Sequence, residues 1–529
     1  MDPIPGIRTS RIAVLGVALA TAGLDGVIQA QDDPPPVTDP SGADPVDPGT
    51  VETMDARRRA RKDLERIQFL SNIDALEGSP SLFPLRSWTT SLELDVPRPS
   101  PFGGGEVDPL FGSPLEPVLR PWRALQAASV EQLGLDASAR YTLLYQHVTN
   151  PVSGKPGNLG TGRLDFDLVW NLWDRDRGSD GRLPGGDFEG HGLVGVLVRQ
   201  GNQIGVPQSS STQGSVGSIE GLDSLYSGRD GGPATLNLLY YQQGWCEDRL
   251  VVSAGKIHPN QYIGLNFWAN DESRQFLAGP FDGIQPLGSS QGGYQLGVAV
   301  QAIPTDSMFV NAVVADALGR PETMFSTLGD GYVWSSVETG FVLPFDERRL
   351  GGPTVATLIW SGQNLDALAG TPSRHWSNAF AVQWQGHLSP RLGYWVEGGW
   401  SQPRMSTTQA QISCGIGIER PFGRRGDLFG VGFAWSRPSS GTDPAVGSNG
   451  LLGDPSPSSR FVGLAFDETD VFTNATSPAR AQSMIEAFYR IQLTESMQLS
   501  PDLQIVFNPG ARDDADVSVI LGLRLTTDF

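Results

Sequence analysis

The chain has no apolar run long enough to cross a bilayer as a helix. The longest, Ile12 to Leu24, falls short of the roughly 20 residues such a span needs, so any insertion into a membrane must be made by strands. Cysteine is almost absent: Cys246 and Cys414 are the only two. The first reads as part of a turn and the second as part of a strand, which predicts two separate thiols and no disulfide. Histidine is scarce as well, and His147, His191, His258, His375 and His387 show no metal-ligand spacing, so neither a metal nor another cofactor is expected. Positive charge is outweighed, 38 Lys and Arg against 58 Asp and Glu for a net charge of -20. That balance argues against a nucleic-acid partner, which needs basic stripes, and fits acid-rich loops. What the chain does have is 65 Gly, 13 Trp and 23 Phe at a mean hydropathy of -0.20. Many strands, with turn glycines and interfacial aromatics, would use that composition.

The carboxy-terminus is the clearest local pattern. Val517, Val519, Leu521, Leu523, Leu525 and the terminal Phe529 fall on one side, while Ser518, Gly522, Arg524, Thr526 and Asp528 fall on the other, with Ile520 as the apolar exception. A period of two that closes on an aromatic residue is how the last strand of an outer-membrane barrel reads, and the barrel assembly machinery would be its expected partner. At the other end, Arg8 and Arg11 precede the apolar run and Ala30 offers a small residue at a cleavage point, so residues 1–30 read as an export signal. Residues 31–50 are a Pro/Asp-rich tether. Residues 51–80 read as a basic periplasmic helix, with Met54, Leu64, Ile67 and Leu70 forming a stripe and Arg57, Arg58, Arg59, Arg61 and Lys62 near its start; its two readings are a solvated face and a coiled-coil or cell-wall contact through residues 51–77. Residues 81–120 form an irregular linker, and a short helix around Pro121 to Leu133 leads into a barrel over 121–529.

Sixteen strands are expected, near 136–148, 160–173, 188–200, 235–245, 249–257, 290–302, 306–315, 331–343, 353–361, 376–388, 391–402, 409–419, 426–436, 482–493, 497–507 and 516–529. An even count returns both ends of the barrel to the periplasmic side. The connections follow the same asymmetry: Cys246 to Asp248 and Ser389-Pro390 are short, whereas Gly201 to Ala234, His258 to Ser289 and Arg437 to Ala481 are long. Asp174 to Asp187 is too long for a tight turn. In the second strand Leu164, Phe166, Leu168, Trp170 and Leu172 alternate with Arg163, Asp165, Asp167 and Asn171. Polar side chains in hydrocarbon would cost several kcal/mol, so the second set must face the lumen. In the penultimate strand Pro501 interrupts the outward set and should weaken the ladder. Trp170, Trp173, Trp245, Trp376 and Trp400 lie near strand ends, as interfacial belts do; Trp268, in a loop, is the candidate for stacking on a sugar ring.

Enzyme motifs are weak. Gly288-Ser289-Ser290-Gln291-Gly292 satisfies G-x-S-x-G but lies between a loop and a strand, without the strand-turn-helix of a nucleophile elbow. Asp174, Asp176 and Asp180 are interrupted by Arg175 and Arg177 and lack the glycine register of a calcium loop.

The run Gly255 to Phe276, GKIHPNQYIGLNFWANDESRQF, resembles the third-loop region of the carbohydrate-selective porins of the OprB type. Asp316-Ala317, Gly319-Arg320, Glu338, Gly426 to Gly432, Glu486, Tyr489-Arg490, Pro501 to Gln504, Asn508 to Gly510 and Leu521 to Arg524 are similar to further landmarks of that family, so the resemblance covers about Pro121 to Phe529. The tether and the basic helix depart from it, and His258 stands where the pattern suggests an acid. The resemblance implies an all-β, sixteen-stranded transmembrane barrel in the outer membrane, surrounded by its lipid, that passes small carbohydrates and performs no chemistry on them. It leaves a homotrimer open. A general or cation-preferring solute porin and an envelope-anchoring barrel are the alternatives. A long loop folded inward would narrow the lumen, and sugar hydroxyls need matching donors and acceptors there. Asp271, Glu272 and Arg274 are expected at the narrowest passage, beside Asn270, Gln275 and Trp268, with Lys256 at the strand end below. Arg163, Asp165, Arg199, Glu338, Glu486 and Arg490 are expected on the lumen wall. A second reading has Asp271 and Glu272 tying the loop to wall residues such as Arg163, Arg199 or Arg490.

Overall fold

The structure, a computed structural model, describes residues 108–529 apart from 174–191, 205–211, 226–233, 247–248, 289–292, 306, 320, 323, 344–353, 366–375, 404, 440–480 and 512–516. The expected signal, tether and basic helix, the Asp174 to Asp187 connection and the G-x-S-x-G serines lie outside the described residues.

Helix α1 (Glu116–Leu133) opens the described chain. It starts before the expected Pro121 because Pro117 sits in the first turn, where a missing N–H is tolerated. Gly134, at φ 69°, ends it in the left-handed region. Sixteen antiparallel strands follow: β1 (Leu135–Val148), β2 (Asn158–Trp173), β3 (Gly192–Gln203), β4 (Thr235–Trp245), β5 (Leu250–Ile257), β6 (Gln295–Thr305), β7 (Met308–Asp316), β8 (Val333–Leu343), β9 (Thr354–Gln363), β10 (Ser377–Ser389), β11 (Leu392–Ser401), β12 (Thr408–Glu419), β13 (Leu428–Pro438), β14 (Gln482–Gln492), β15 (Met497–Phe507) and β16 (Val517–Asp528). Each pairs with its sequence neighbours, and β16 closes on β1 from Arg140↔Asp528 to Val148↔Ile520. Closure leaves no sheet edge to satisfy in lipid. A short helix α2 (Thr212–Val216) lies in the β3–β4 connection.

The alternation read from the sequence sets the two faces of the wall. Leu164, Phe166 and Trp170 are exposed on the outside of β2, while Arg163, Asp165 and Asp167 are buried inside. Trp245, Trp376 and Trp400 are exposed near strand ends, as a belt requires. Cys414 faces outward on β12, Cys246 is exposed in the β4–β5 turn, and both are unpaired. At Pro501 the β14–β15 ladder is interrupted: pairing passes from Phe488↔Asp502 directly to Ile491↔Leu499. A residue without an N–H cannot complete the rungs between them.

The inside is not uniformly polar. Leu193, Leu197, Val313, Trp334, Trp395 and Phe488 are buried there in clusters with the long loop between β5 and β6, and the exceptional Ile520 is buried opposite Val148. The loop brings its own apolar residues inward, so matching wall positions exchange water for packing, at about 25 cal/mol per Å² of apolar surface removed.

Candidate functional site

The β5–β6 loop begins at His258, makes a 3-10 turn at Pro259–Gln261 and a second at Gln285–Leu287, and between them is buried almost throughout. It has no strand partner, so its backbone groups must find other partners. The wall supplies them. Glu338 accepts the Gly264 N–H at 3.2 Å, and Gln385 accepts the Phe267 N–H at 2.8 Å and donates to the Leu265 carbonyl at 2.7 Å. Glu397 accepts from the Asn266 amide at 3.3 Å, and Glu486 accepts the Leu277 and Ala278 N–H groups at 2.5 and 3.0 Å. Gln411 accepts the Gln285 N–H and donates to the Pro280 carbonyl. Arg524 donates to the Glu272 and Gln275 carbonyls at 2.6 and 2.7 Å, and Thr526 to the Ser273 carbonyl at 2.9 Å. The loop is thereby fixed to β8, β10, β11, β12, β14 and β16.

Its apolar anchors are set by glycine. Phe276, Phe281, Trp395 and Phe488 form a cluster with ring centroids 4.8 to 6.5 Å apart. They pack over Gly415, Gly430 and Gly432, where an added Cβ would collide with their rings. The ring of Trp268 lies against Gly393 and Gly417 in the same way, with His387 edge-on at 5.1 Å. At 6% exposure its faces belong to the wall, so the sugar platform expected of Trp268 is absent: inward glycines in adjacent strands leave a slot that a large ring fills.

The charged residues form two buried chains. In the first, Asp165 accepts from Arg199 at 2.6 Å and from Arg163 at 2.9 Å, and Arg163 reaches Glu272 at 2.8 Å. In the second, Asp528 accepts from Arg140 and Arg274, each at 2.8 Å. Ser273 Oγ lies between the chains, 3.4 Å from Arg163 and 3.5 Å from Arg140. Glu272 therefore ties the loop to the wall through Arg163. It also keeps 12% of its side chain exposed. Burial pushes its carboxyl up, but Arg163 and then Arg199 outweigh burial and hold it below its ordinary value. Asp282 goes the other way: burial, and then the charge of Glu272, push it well above the usual carboxylate range. Asn260 and Asn270 both donate to the Asp282 carbonyl, at 3.3 and 3.5 Å.

The remaining expected residues divide. Asp271 turns back on the loop, where its carboxylate accepts the Ser273 N–H at 2.9 Å and its own N–H reaches Gln275 Oε1 at 3.2 Å. Gln275 also donates to the Phe267 carbonyl at 3.0 Å. Lys256, at the end of β5, donates to the Pro321 carbonyl at 2.6 Å in the β7–β8 connection. Arg490 donates to the Gly426 carbonyl at 3.3 Å, beside the β12–β13 turn. Neither bond involves the loop residues 271–275. Reading the sequence missed Arg140, Ser273, Asp282, Tyr294 and Asp528. Arg140 and Asp528 carried the signal of inward alternation; Tyr294 fell inside the sixth strand expected at 290–302, whereas β6 begins only at Gln295.

Residues 195–529 match the profile of the family described as carbohydrate-selective porin, OprB family. The match begins within β3, later than the motif resemblance. No curated protein matches. Among solved structures, the high-pH structure of Pseudomonas putida OprB has 15% identity and a TM-score of 0.57, covering 77% of this chain and 97% of that one. That likeness concerns the fold. The low-pH structure of the same protein has 10% identity and a TM-score of 0.41, covering 80% and 100%. A triple mutant of the Rhodopseudomonas blastica porin has 10% identity and a TM-score of 0.37, covering 75% and 100%.

Proposed function

The chain belongs to the OprB family of carbohydrate-selective porins, which makes it an outer-membrane channel for sugars, and from that premise we propose where the sugar passes. The route runs between the inner wall of β1 to β3 and the loop, with Arg199 on the wall and Glu272 on the loop at its narrowest point. One observation carries this reading. In the chain Arg199–Asp165–Arg163–Glu272 the inner members are 0 to 1% exposed, whereas the two ends keep 11% and 12%. A guanidinium offers donors and a carboxylate offers acceptors, so a sugar shedding water finds both kinds within a short distance. Neighbouring Asp282, Asn260 and Asn270 extend the polar edge of the loop. Asp271, Arg274 and Gln275 hold the shape of that edge, as their bonds to Ser273, Asp528 and Phe267 suggest.

Single-channel recording in planar bilayers tests the route. Glucose and then maltose should block current in a saturable way. Glu272→Gln should raise the half-blocking concentration about tenfold, the equivalent of about 1.4 kcal/mol. Block that ignores the substitution overturns this position of the constriction, and current indifferent to both sugars favours a general solute pore. For the partners, the alternation of β16 up to Phe529 supports recognition by the barrel assembly machinery, and residues 51–77 remain the segment proposed for cell-wall contact.

A further inference from the structure

His258 and Tyr294 flank the β5–β6 loop at its two ends, one leaving β5 and the other entering β6. Their rings stack with centroids 4.7 Å apart and planes 23° from parallel. Arg199 meets Tyr294 at its hydroxyl end, with the guanidinium carbon 5.5 Å from the ring centroid. Arg199 Nη1 also donates to the Tyr294 hydroxyl at 2.6 Å. The guanidinium is thus held at two points, by Asp165 at Nε and by the phenol oxygen at Nη1. His258, Tyr294 and Arg199 all stay partly open to solvent, whereas Trp334, Trp395, Phe276, Phe281 and Phe488 are sealed.

We infer that Tyr294 and His258 are positioning residues that fix the direction in which Arg199 presents its donors to the sugar, and that this stack sets the channel's affinity for carbohydrate. The inference rests on the passage proposed above. An arginine side chain has many rotamers, and a donor that must be ordered at each binding event loses the entropy of ordering. A stack bridging both ends of the loop imposes that order beforehand. It also gives His258, the departure from the family pattern, a role: a flat ring packs on a phenol face, which a carboxylate in its place would not do.

The experiment measures half-blocking glucose concentration and open-channel current on the refolded full chain, with barrel formation confirmed by heat-modifiable gel mobility. Tyr294→Phe keeps the ring and removes the hydroxyl, and it should raise the half-blocking concentration about tenfold, equivalent to about 1.4 kcal/mol, with little change in open-channel current. His258→Ala should weaken block in the same direction, and His258→Phe, which restores a flat ring, should return it to near the unsubstituted value. Tyr294→Phe indistinguishable from the parent, or His258→Phe as weak as His258→Ala, overturns the inference. Should His258→Ala fail to form a barrel, Tyr294→Phe and His258→Phe decide the matter between them. A parent channel that glucose does not block would instead overturn the passage itself, a different result from variants that merely match a blocked parent.

Discussion

Gly393 and Gly417 point inward from β11 and β12, and what they leave out matters as much as any side chain inside the barrel. An added Cβ at Gly393 would fall within the ring of Trp268. Gly393→Ala should therefore force that ring from its slot at a cost of about 1–3 kcal/mol, the usual penalty for overfilling a packed site. The measurement is thermal unfolding in detergent, followed by loss of heat-modifiable mobility; an unchanged transition would mean that the ring does not fill this slot. At this scale the sequence was legible for charge and opaque for packing. Arg163 and Asp165 were placed inside by alternation, because polar groups cannot face lipid, while Glu338 and Glu486 entered through the family resemblance. Trp268 was misread because a tryptophan in a loop suggests an open ring. The opposing signal was inward glycines spaced two apart, Gly415 with Gly417 and Gly430 with Gly432, which only a bulky partner from elsewhere in the chain would require.

The β5–β6 loop is the element in which pH should act, since its two off-range carboxyls pull in opposite directions. Glu272 is held below its ordinary value by Arg163 against the effect of burial, so its contribution to loop stability is present above the ordinary value of about 4.3 and is lost as pH falls through the depressed one. Asp282 is held above its ordinary value by burial and by Glu272. Its contribution is complete below the ordinary value of about 3.9 and is lost as pH rises through the raised one. The loop should be tightest between the two folded values and loosen on either side. Hydrogen exchange of the Leu277 and Ala278 amides, which bond to Glu486, should show that maximum. Asp282→Asn should flatten the alkaline arm, and Glu272→Gln should flatten the acid arm and also shrink the alkaline one, since the charge of Glu272 helps to raise Asp282; arms that survive both substitutions would place the cause in other groups. The loop's existence was readable as a long connection between two alternating strands. Its fixed path was not, because bonds such as Glu397 to Asn266 and Gln385 to Phe267 join residues more than a hundred positions apart.

In the whole molecule the seam between β1 and β16 is where closure, loop and charge meet. These strands are the most distant in sequence, so their pairing demands the largest loop closure and should form late. Asp528 joins Arg140 of β1 to Arg274 of the loop across that seam, so closing the barrel and laying in the loop at this point are one event. Removing the shared carboxylate leaves two guanidiniums buried without it, which typically costs about 3–5 kcal/mol. Part of that cost should fall on the folding barrier, because the lost contact belongs to the last step. Asp528→Asn should therefore slow the appearance of the heat-modifiable form in refolding. Glu397→Gln, in a wall strand closed by its immediate sequence neighbours, should act mainly by speeding unfolding. Time courses of gel mobility after dilution from urea separate the two. Equal slowing by both substitutions would mean that the loop is laid in before the seam closes and that Asp528 is an ordinary buried partner.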